Sequence, residues 1–238
     1  MSEKMSGYGV GWVCAMAVIF SLCSVKSARA DSVVFSNLGS PISFSTSTGW
    51  EIIPGANVAT QFTPSSDVAV SQIDVGIGNI TGLPAGISNG VNFAVYTNVS
   101  GSPGSVFGSF PELTSFMDFG SGQCAGLACT VQTLKPVGSL ALQGGVPYWL
   151  VASAGGTGTD AVWNASNILD GGVKINQGGG PWMDSVDNFG GAFDVVGSVS
   201  DSGSGGSPVP EPPGALLLAV GFCALCAIKV RKTIFNHA

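Results

Sequence analysis

Between residues 31 and 200 the chain repeats one pattern: a short apolar run, often alternating with polar residues, then a cluster of Gly, Pro, Ser or Asn. In 68–78 (VAVSQIDVGIG), Ile73, Val75 and Ile77 alternate with Gln72, Asp74 and Gly76. In 91–97 (VNFAVYT), Val91, Phe93 and Val95 share one side. Period-two alternation is what a strand with one buried face requires, because successive side chains of an extended backbone point to opposite sides. Residues 148–153 (YWLVAS) lack such alternation and predict a strand covered on both faces. Residues 193–196 predict the last strand. Turn residues at 64–67, 100–104, 143–145 and 177–181 separate these runs. No comparable helical pattern precedes residue 214. Short strands with frequent turns predict an all-β fold, a two-sheet β-sandwich or jelly roll.

Charge narrows the function classes. Charged residues make up 9% of the chain, against roughly 25% in soluble domains. Between residues 31 and 207 there are two Lys (Lys135 and Lys174), no Arg and twelve acidic residues. Phosphate backbones are held by clustered Lys and Arg, so nucleic acid is not an expected partner. The single histidine is His237, near the C-terminus. Residues 31–207 therefore hold no Ser-His-Asp triad, no Cys-His pair and no histidine metal ligand.

Carboxylates and tryptophans remain as candidate chemistry. Asp184, Asp187 and Asp194 cluster in WMDSVDNFGGAFD. A glycoside hydrolase needs two such groups facing a sugar at about 5–5.5 or 6.5–9.5 Å. Solvated loop charge is the favoured reading, since acidic residues carry nearly all of the domain's solubility. Asp184, Asp187 and Asn188 are also weak calcium candidates, because hard cations take oxygen ligands; no EF-hand or nonapeptide repeat accompanies them. No cofactor is expected. Trp163 sits beside Asn164, and Trp182 follows Gly178-Gly179-Gly180-Pro181. Loop tryptophans can stack on sugar faces, with Asn and Asp supplying hydrogen bonds. The alternative is that Trp50, Trp149, Trp163 and Trp182 all pack inside, as Trp usually does.

Both ends of the chain read as addresses. Lys4, an apolar run over 10–22 and Ala28-Arg29-Ala30 form a secretory signal peptide over residues 1–30, cleaved after Ala30. The exported domain spans 31–200. A Gly/Ser linker (201–207) leads to Pro208-Val209-Pro210-Glu211-Pro212-Pro213, where prolines enforce an extended, accessible backbone. Residues 214–228 are apolar and uncharged, and Lys229, Arg231 and Lys232 follow in the basic tail 229–232. Fifteen residues make a helix of roughly 22 Å, short of a ~30 Å hydrocarbon core. Snorkelling basic side chains and local thinning make up the difference. The basic cluster stays cytoplasmic, leaving the domain outside.

This order of Pro-Glu-Pro, apolar helix and basic residues, spanning 208–238, resembles the PEP-CTERM sorting signal of Gram-negative bacteria. The resemblance implies that Pro208, Val209, Pro210, Glu211 and Pro212 form the sorting motif. It implies handling by an exosortase, a membrane-embedded cysteine protease-transpeptidase, after signal peptidase has acted. The chain is then expected to be anchored in the inner membrane and, after processing, to lie at the cell surface or outside the cell. The company this signal keeps points to exopolysaccharide as a neighbour. The domain itself resembles the choice-of-anchor family, nearest its R type, through Gly49-Trp50, ATQFTP (59–64), SQIDVGIG (71–78), VYTNVSGSPGS (95–105), YWLVAS and Gly191-Ala192-Phe193. That resemblance implies a β-sandwich surface domain and transfers no catalytic residue.

Cysteines sort by location. Cys14 and Cys23 fall in the leader, and Cys223 and Cys226 in the apolar tail. Cys124 and Cys129 belong to the exported domain and predict a disulfide outside the cytoplasm, contributing roughly 2 kcal/mol by closing a small loop. The expectation is an exported, non-enzymatic cell-envelope protein with a structural or interaction role. A carbohydrate-binding module for exopolysaccharide is the first alternative, and a carboxylate-dependent glycoside hydrolase the second.

Overall fold

A computed structural model describes residues 30–39, 44–45, 47–80, 90–115, 131–168, 172–187 and 189–200. Backbone contacts divide the chain after Ser200, and the second unit, Asp201–Ala238, lies outside the described residues. The sorting motif, the 214–228 span and the basic tail lie there. Ala28 with the rest of the leader before Ala30, Cys124, Cys129 and Asn188 also lie outside them. No helix among the described residues is long and apolar enough to cross a membrane.

The described residues form thirteen strands and no helix. They are β1 (Ser32–Ser36), β2 (Gly49–Ile52), β3 (Ala56–Phe62), β4 (Val68–Asn79), β5 (Val91–Val99), β6 (Ser102–Ser109) and β7 (Val131–Leu134). Then come β8 (Ala141–Leu142), β9 (Tyr148–Ala154), β10 (Ala161–Asn164), β11 (Val173–Gln177), β12 (Met183–Asp184) and β13 (Phe193–Val199). The seven-stranded sheet runs β1-β13-β4-β10-β2, with β7 and β8 also paired to β4. The six-stranded sheet runs β12-β11-β3-β9-β5-β6. All of these pairings are antiparallel. The all-β expectation is met, and the arrangement is β-sandwich-like.

The alternating apolar positions meet between the sheets. Ile73, Val75 and Ile77 of β4 share one buried cluster with Phe93 and Val95 of β5 and with Leu150 of β9. Aromatic rings bridge the layers: Phe93 meets Trp163 of β10 edge-on at 5.4 Å, and Phe62 of β3 meets Phe193 of β13 likewise at 5.4 Å. Such edge-to-face pairs contribute about 0.5–1.5 kcal/mol each beyond the area they bury. Trp163 fits only because its neighbour is small. A Cβ on Gly191 would stand 2.1 Å from the indole ring.

One turn is tighter than the sequence suggests. The turn residues read over 100–104 reduce to Ser100-Gly101, both with positive φ (51° and 76°), a two-residue hairpin between β5 and β6. Pro103 and Gly104 are part of β6 instead. That strand ends the six-stranded sheet, where a missing N–H donor is tolerated.

Asn37, fully buried just after β1, ties three segments together. Its Nδ2 donates to the Gly191 carbonyl at 3.0 Å, its Oδ1 accepts from the Phe193 N–H at 2.6 Å, and its own carbonyl accepts from the Ser166 hydroxyl at 2.7 Å. Asn37→Ala strands the first two backbone groups in the interior, so it should destabilise the domain by about 3 kcal/mol. Urea denaturation reads this as a lower midpoint at an unchanged slope.

Candidate functional site: the outer face of the six-stranded sheet

Strand β9 is buried on both sides. Tyr148, Leu150 and Ala152 enter the core between the sheets, so Trp149 and Val151 must point outward. There they form a second buried cluster with Ala59 of β3, and Tyr96 of β5 and Trp182 pack on it, each half-buried. Trp182 arrives by a turn built for the purpose. Gly178 and Gly179 take positive φ (62° and 74°), the Gly178 N–H donates to the Gly55 carbonyl at 2.6 Å, and Asn176 Nδ2 donates to the Gly180 carbonyl. The chain then turns back as β12, where Asp184 pairs with Lys174.

Strand register arranges the rest of this face in rows. Gln61, Trp149 and Tyr96 lie side by side on β3, β9 and β5. Two residues along each strand lie Ala59, Val151 and Ala94, with Lys174 opposite Ala59 on β11. Two further along, Asn176 faces Asn57, and Asn92 faces Ser153. Trp149 Nε1 and Gln61 Nε2 both donate to Asn98 Oδ1, at 2.8 and 3.3 Å. Asn57 donates to Asn176 at 3.4 Å. Lys174 Nζ, nearly buried, meets the exposed Asp184 carboxylate at 2.5 Å. The face thus offers aromatic surface beside amide donors and acceptors, the combination that recognises a polyhydroxylated ring.

The structure separates the tryptophan candidates. Trp182 lies on this face. Trp163 does not: it is on a strand, not a loop, fully buried, and donates Nε1 to the Ala192 carbonyl at 3.0 Å. No ring face is left for a sugar, and its reading as a glycan contact is corrected. Its neighbour Asn164 is equally buried and donates to the Ser45 carbonyl at 2.8 Å. Trp50 is buried with Nε1 on the Phe189 carbonyl.

Of the carboxylates that cluster in sequence, Asp194 is parted in space from Asp184. Asp184 lies at the β12 edge of the six-stranded sheet and is held by Lys174. Asp187 follows in an exposed segment, its N–H on the Ser185 hydroxyl. Asp194 belongs to β13 in the other sheet, on the side away from the core residues Phe193 and Val195. Asp184 and Asp194 thus face opposite sides of the fold, so a catalytic pair that includes Asp194 and Asp184 is corrected. Among the described residues no group of three or more His, Cys, Asp or Glu converges to hold a metal.

Asp194 has a different partner. It stands in register with Ser36 of β1 and Asp74 of β4. Asp74 in turn accepts from Thr133 Oγ1 at 2.5 Å and from Gln72 Nε2 at 3.0 and 3.2 Å. Burial raises the Asp194 pKa above its ordinary value; hydrogen bonds from the Ser36 side chain and the Leu38 backbone pull it down, and the Asp74 charge pushes it further up. The pairing of Asp74 with Asp194 was not legible in sequence because 120 residues separate them, and only the β4–β13 register joins them. Tyr96, Gln61 and Asn98 were missed for the same reason, although alternation in VNFAVYTN already sets Asn92, Tyr96 and Asn98 opposite the core side.

No protein-family model matches this chain, and no curated protein matches its sequence.

Because the folded domain holds the Asp194 proton more tightly than the unfolded chain, its contribution is favourable at low pH. It declines as pH rises from the unfolded pKa through the raised folded value. Asp194→Asn should flatten that part of the pH–stability profile and raise the melting temperature at pH 7 relative to wild type. Thermal melts between pH 4 and pH 7 check this.

Proposed function

We propose that this chain is an exported, non-enzymatic protein of the bacterial cell envelope whose β-sandwich binds exopolysaccharide through the outer face of its six-stranded sheet. The observation that carries the binding reading is Trp182, folded back over Ala59, Val151 and Trp149 beside Tyr96, with Gln61, Asn98, Asn57 and Asn176 around them. Trp182 covers Trp149 and Val151 and stays half-exposed itself, which leaves ring surface for a sugar to stack on. Buried aromatic floor, half-buried aromatic border and flanking amides give both orientation and hydrogen bonding, as a carbohydrate site needs.

Export and sorting rest on the two termini. Ala28-Arg29-Ala30 supports cleavage by signal peptidase, and residues 208–238 support handling by an exosortase at the Pro-Glu-Pro motif. In this reading the 214–228 segment is a transient inner-membrane anchor, with Lys229, Arg231 and Lys232 as its cytoplasmic stop. The domain is of the choice-of-anchor kind and is closed by a Cys124–Cys129 disulfide. The mature product works at the cell surface or outside the cell.

Retention of the full chain on immobilised polysaccharides tests the binding half. Trp182→Ala should weaken it about tenfold, the equivalent of ~1.4 kcal/mol of stacking, and Trp182→Phe should restore part of the loss. A wild-type chain that no polysaccharide retains, with or without calcium, ends this reading. Fractionation tests the sorting half. Wild-type protein should lose the residues beyond the Pro-Glu-Pro motif, while Glu211→Ala keeps them and stays in the membrane. A wild-type chain that remains membrane-bound and intact through Ala238 contradicts it.

A further inference from the structure

We infer that the end of the sandwich from which the chain continues past Ser200 is a membrane contact, which seats the domain on a zwitterionic lipid surface. This inference rests on the reading of residues 214–228 as an inner-membrane span. It adds that the domain stands on the bilayer by one end instead of hanging free on its linker. Strand register gathers the pieces. β13 ends beside the start of β1, with Gly197 against Ser32, and beside the start of β4, with Val199 against Val68. The described chain therefore enters and leaves the domain at this one end. The Ser200 N–H donates to the Asp67 carbonyl at 2.9 Å, and Asp67 Oδ1 accepts from the Gly144 N–H at 2.8 Å. That fixes the turn over 143–146 next to the exit. The turn leads into β9, whose first residue, Tyr148, stands against Thr97 of β5.

Exposed apolar side chains ring Tyr148. Two residues beyond the Thr97–Tyr148 pair along each chain are Val99 and Val146, 58% and 37% exposed. Val99 continues the core side of β5, set by Val91, Phe93 and Val95, past the point where the core ends. Its methyl lies over Gly104, where a Cβ would stand 2.5 Å from it. Phe107, 47% exposed, brings its ring to 5.6 Å from that of Tyr148. The strand ends leave the core least covered, and here the cover is apolar. Exposed apolar groups gathered at one place mark an interaction surface.

Charge and tether select the partner. In the segments that meet here, 63–67, 97–107, 142–148 and 197–200, Asp67 is the one charged residue, and Asp31 precedes β1. Neither Lys135 nor Lys174 lies in them. An anionic headgroup would find no cation here and an acidic domain around it. A zwitterionic surface accepts apolar side chains at its headgroup boundary without that repulsion. Residues 201–213 join Ser200 to the apolar run, and a chain of that length reaches at most about 45 Å. Such a tether sets an effective concentration on the order of millimolar, so a contact too weak to hold a free domain holds this one.

The test uses the full Glu211→Ala chain, which should keep its tail, in phosphatidylcholine nanodiscs that contain a lipid with a nitroxide on its headgroup. Gly90 and Gly155 mark the opposite end of the sandwich, where β5 begins and β9 ends. β4 alone, at about 3.4 Å per residue, keeps the two ends roughly 35 Å apart, so paramagnetic broadening of the Gly101, Phe107 and Gly144 amide signals should exceed that of Gly90 and Gly155 at least about tenfold. Val99→Ser combined with Val146→Ser, both at exposed positions, should lower that ratio at least about threefold, with the Trp163 indole signal unmoved to show an intact core. Broadening alike at the two ends, or greater at Gly90, overturns this inference and leaves the anchor reading standing. So does a larger ratio when anionic lipid replaces phosphatidylcholine. Discs that take up chains only in pairs, with the Gly101 and Gly144 signals shifted but not broadened, put a second copy on this end and overturn the inference too. A Glu211→Ala chain recovered outside the membrane fraction overturns both.

Discussion

From Tyr148 to Ala152 strand β9 is apolar on both faces, and the six-stranded sheet is organised around that fact. One side of YWLVAS fills the core with Tyr148 and Leu150. The other presents Trp149 and Val151 to what would otherwise be solvent. Exposing both would cost several kcal/mol at about 25 cal/mol per Å2 of apolar surface, so the chain covers them from above. The cover is Trp182, brought over by Gly178 and Gly179 in conformations that side-chain-bearing residues rarely adopt. Tyr96 closes the flank through the β5–β9 register. A packing requirement thus places an aromatic pair at the surface, beside the amides that strand alternation turns outward.

The other sheet treats its outer face differently. Leu38, Phe44 and Ala192 form a small buried cluster there, with Phe44 against Gly76 of β4. The remaining polar line, Ser36, Asp194, Asp74 and Thr133, is largely occupied with itself. Its mutual repulsion and burial make it a stability element whose effect follows pH. The six-stranded sheet therefore holds the aromatic and amide groups that are not so engaged among the described residues, which is why the proposed ligand site is placed on it.

The sequence was legible where the physics is local. Alternation in VAVSQIDVGIG and VNFAVYT located β4 and β5 with their core sides, and an unbroken apolar run located β9. It was illegible where neighbours from distant segments decide. AVWN, buried throughout, reads as loop because Asn164 follows Trp163; only the absence of a side chain at Gly191 and the carbonyls of Ala192 and Ser45 make that interior position possible. Residues 102–104 read as turn, yet they begin β6, whose edge position accepts Pro103. Trp182 was visible from its Gly-Pro flank, while its partners were not, since Gln61, Tyr96 and Trp149 become neighbours only through long-range register. The carboxylate cluster is the converse case. Asp184 and Asp194 are ten residues apart in sequence and belong to different sheets.

The central claim is that ligand lies on the six-stranded sheet and touches Trp182. Indole N–H signals report this directly, because Trp50, Trp149, Trp163 and Trp182 occupy four distinct environments. Titrating isotope-labelled protein with a retained polysaccharide fragment should move the Trp182 indole signal most, shift that of Trp149 through Asn98, and leave Trp50 and Trp163 in place. A Trp182 signal unmoved at saturation, with the changes confined to the seven-stranded sheet, would contradict the account.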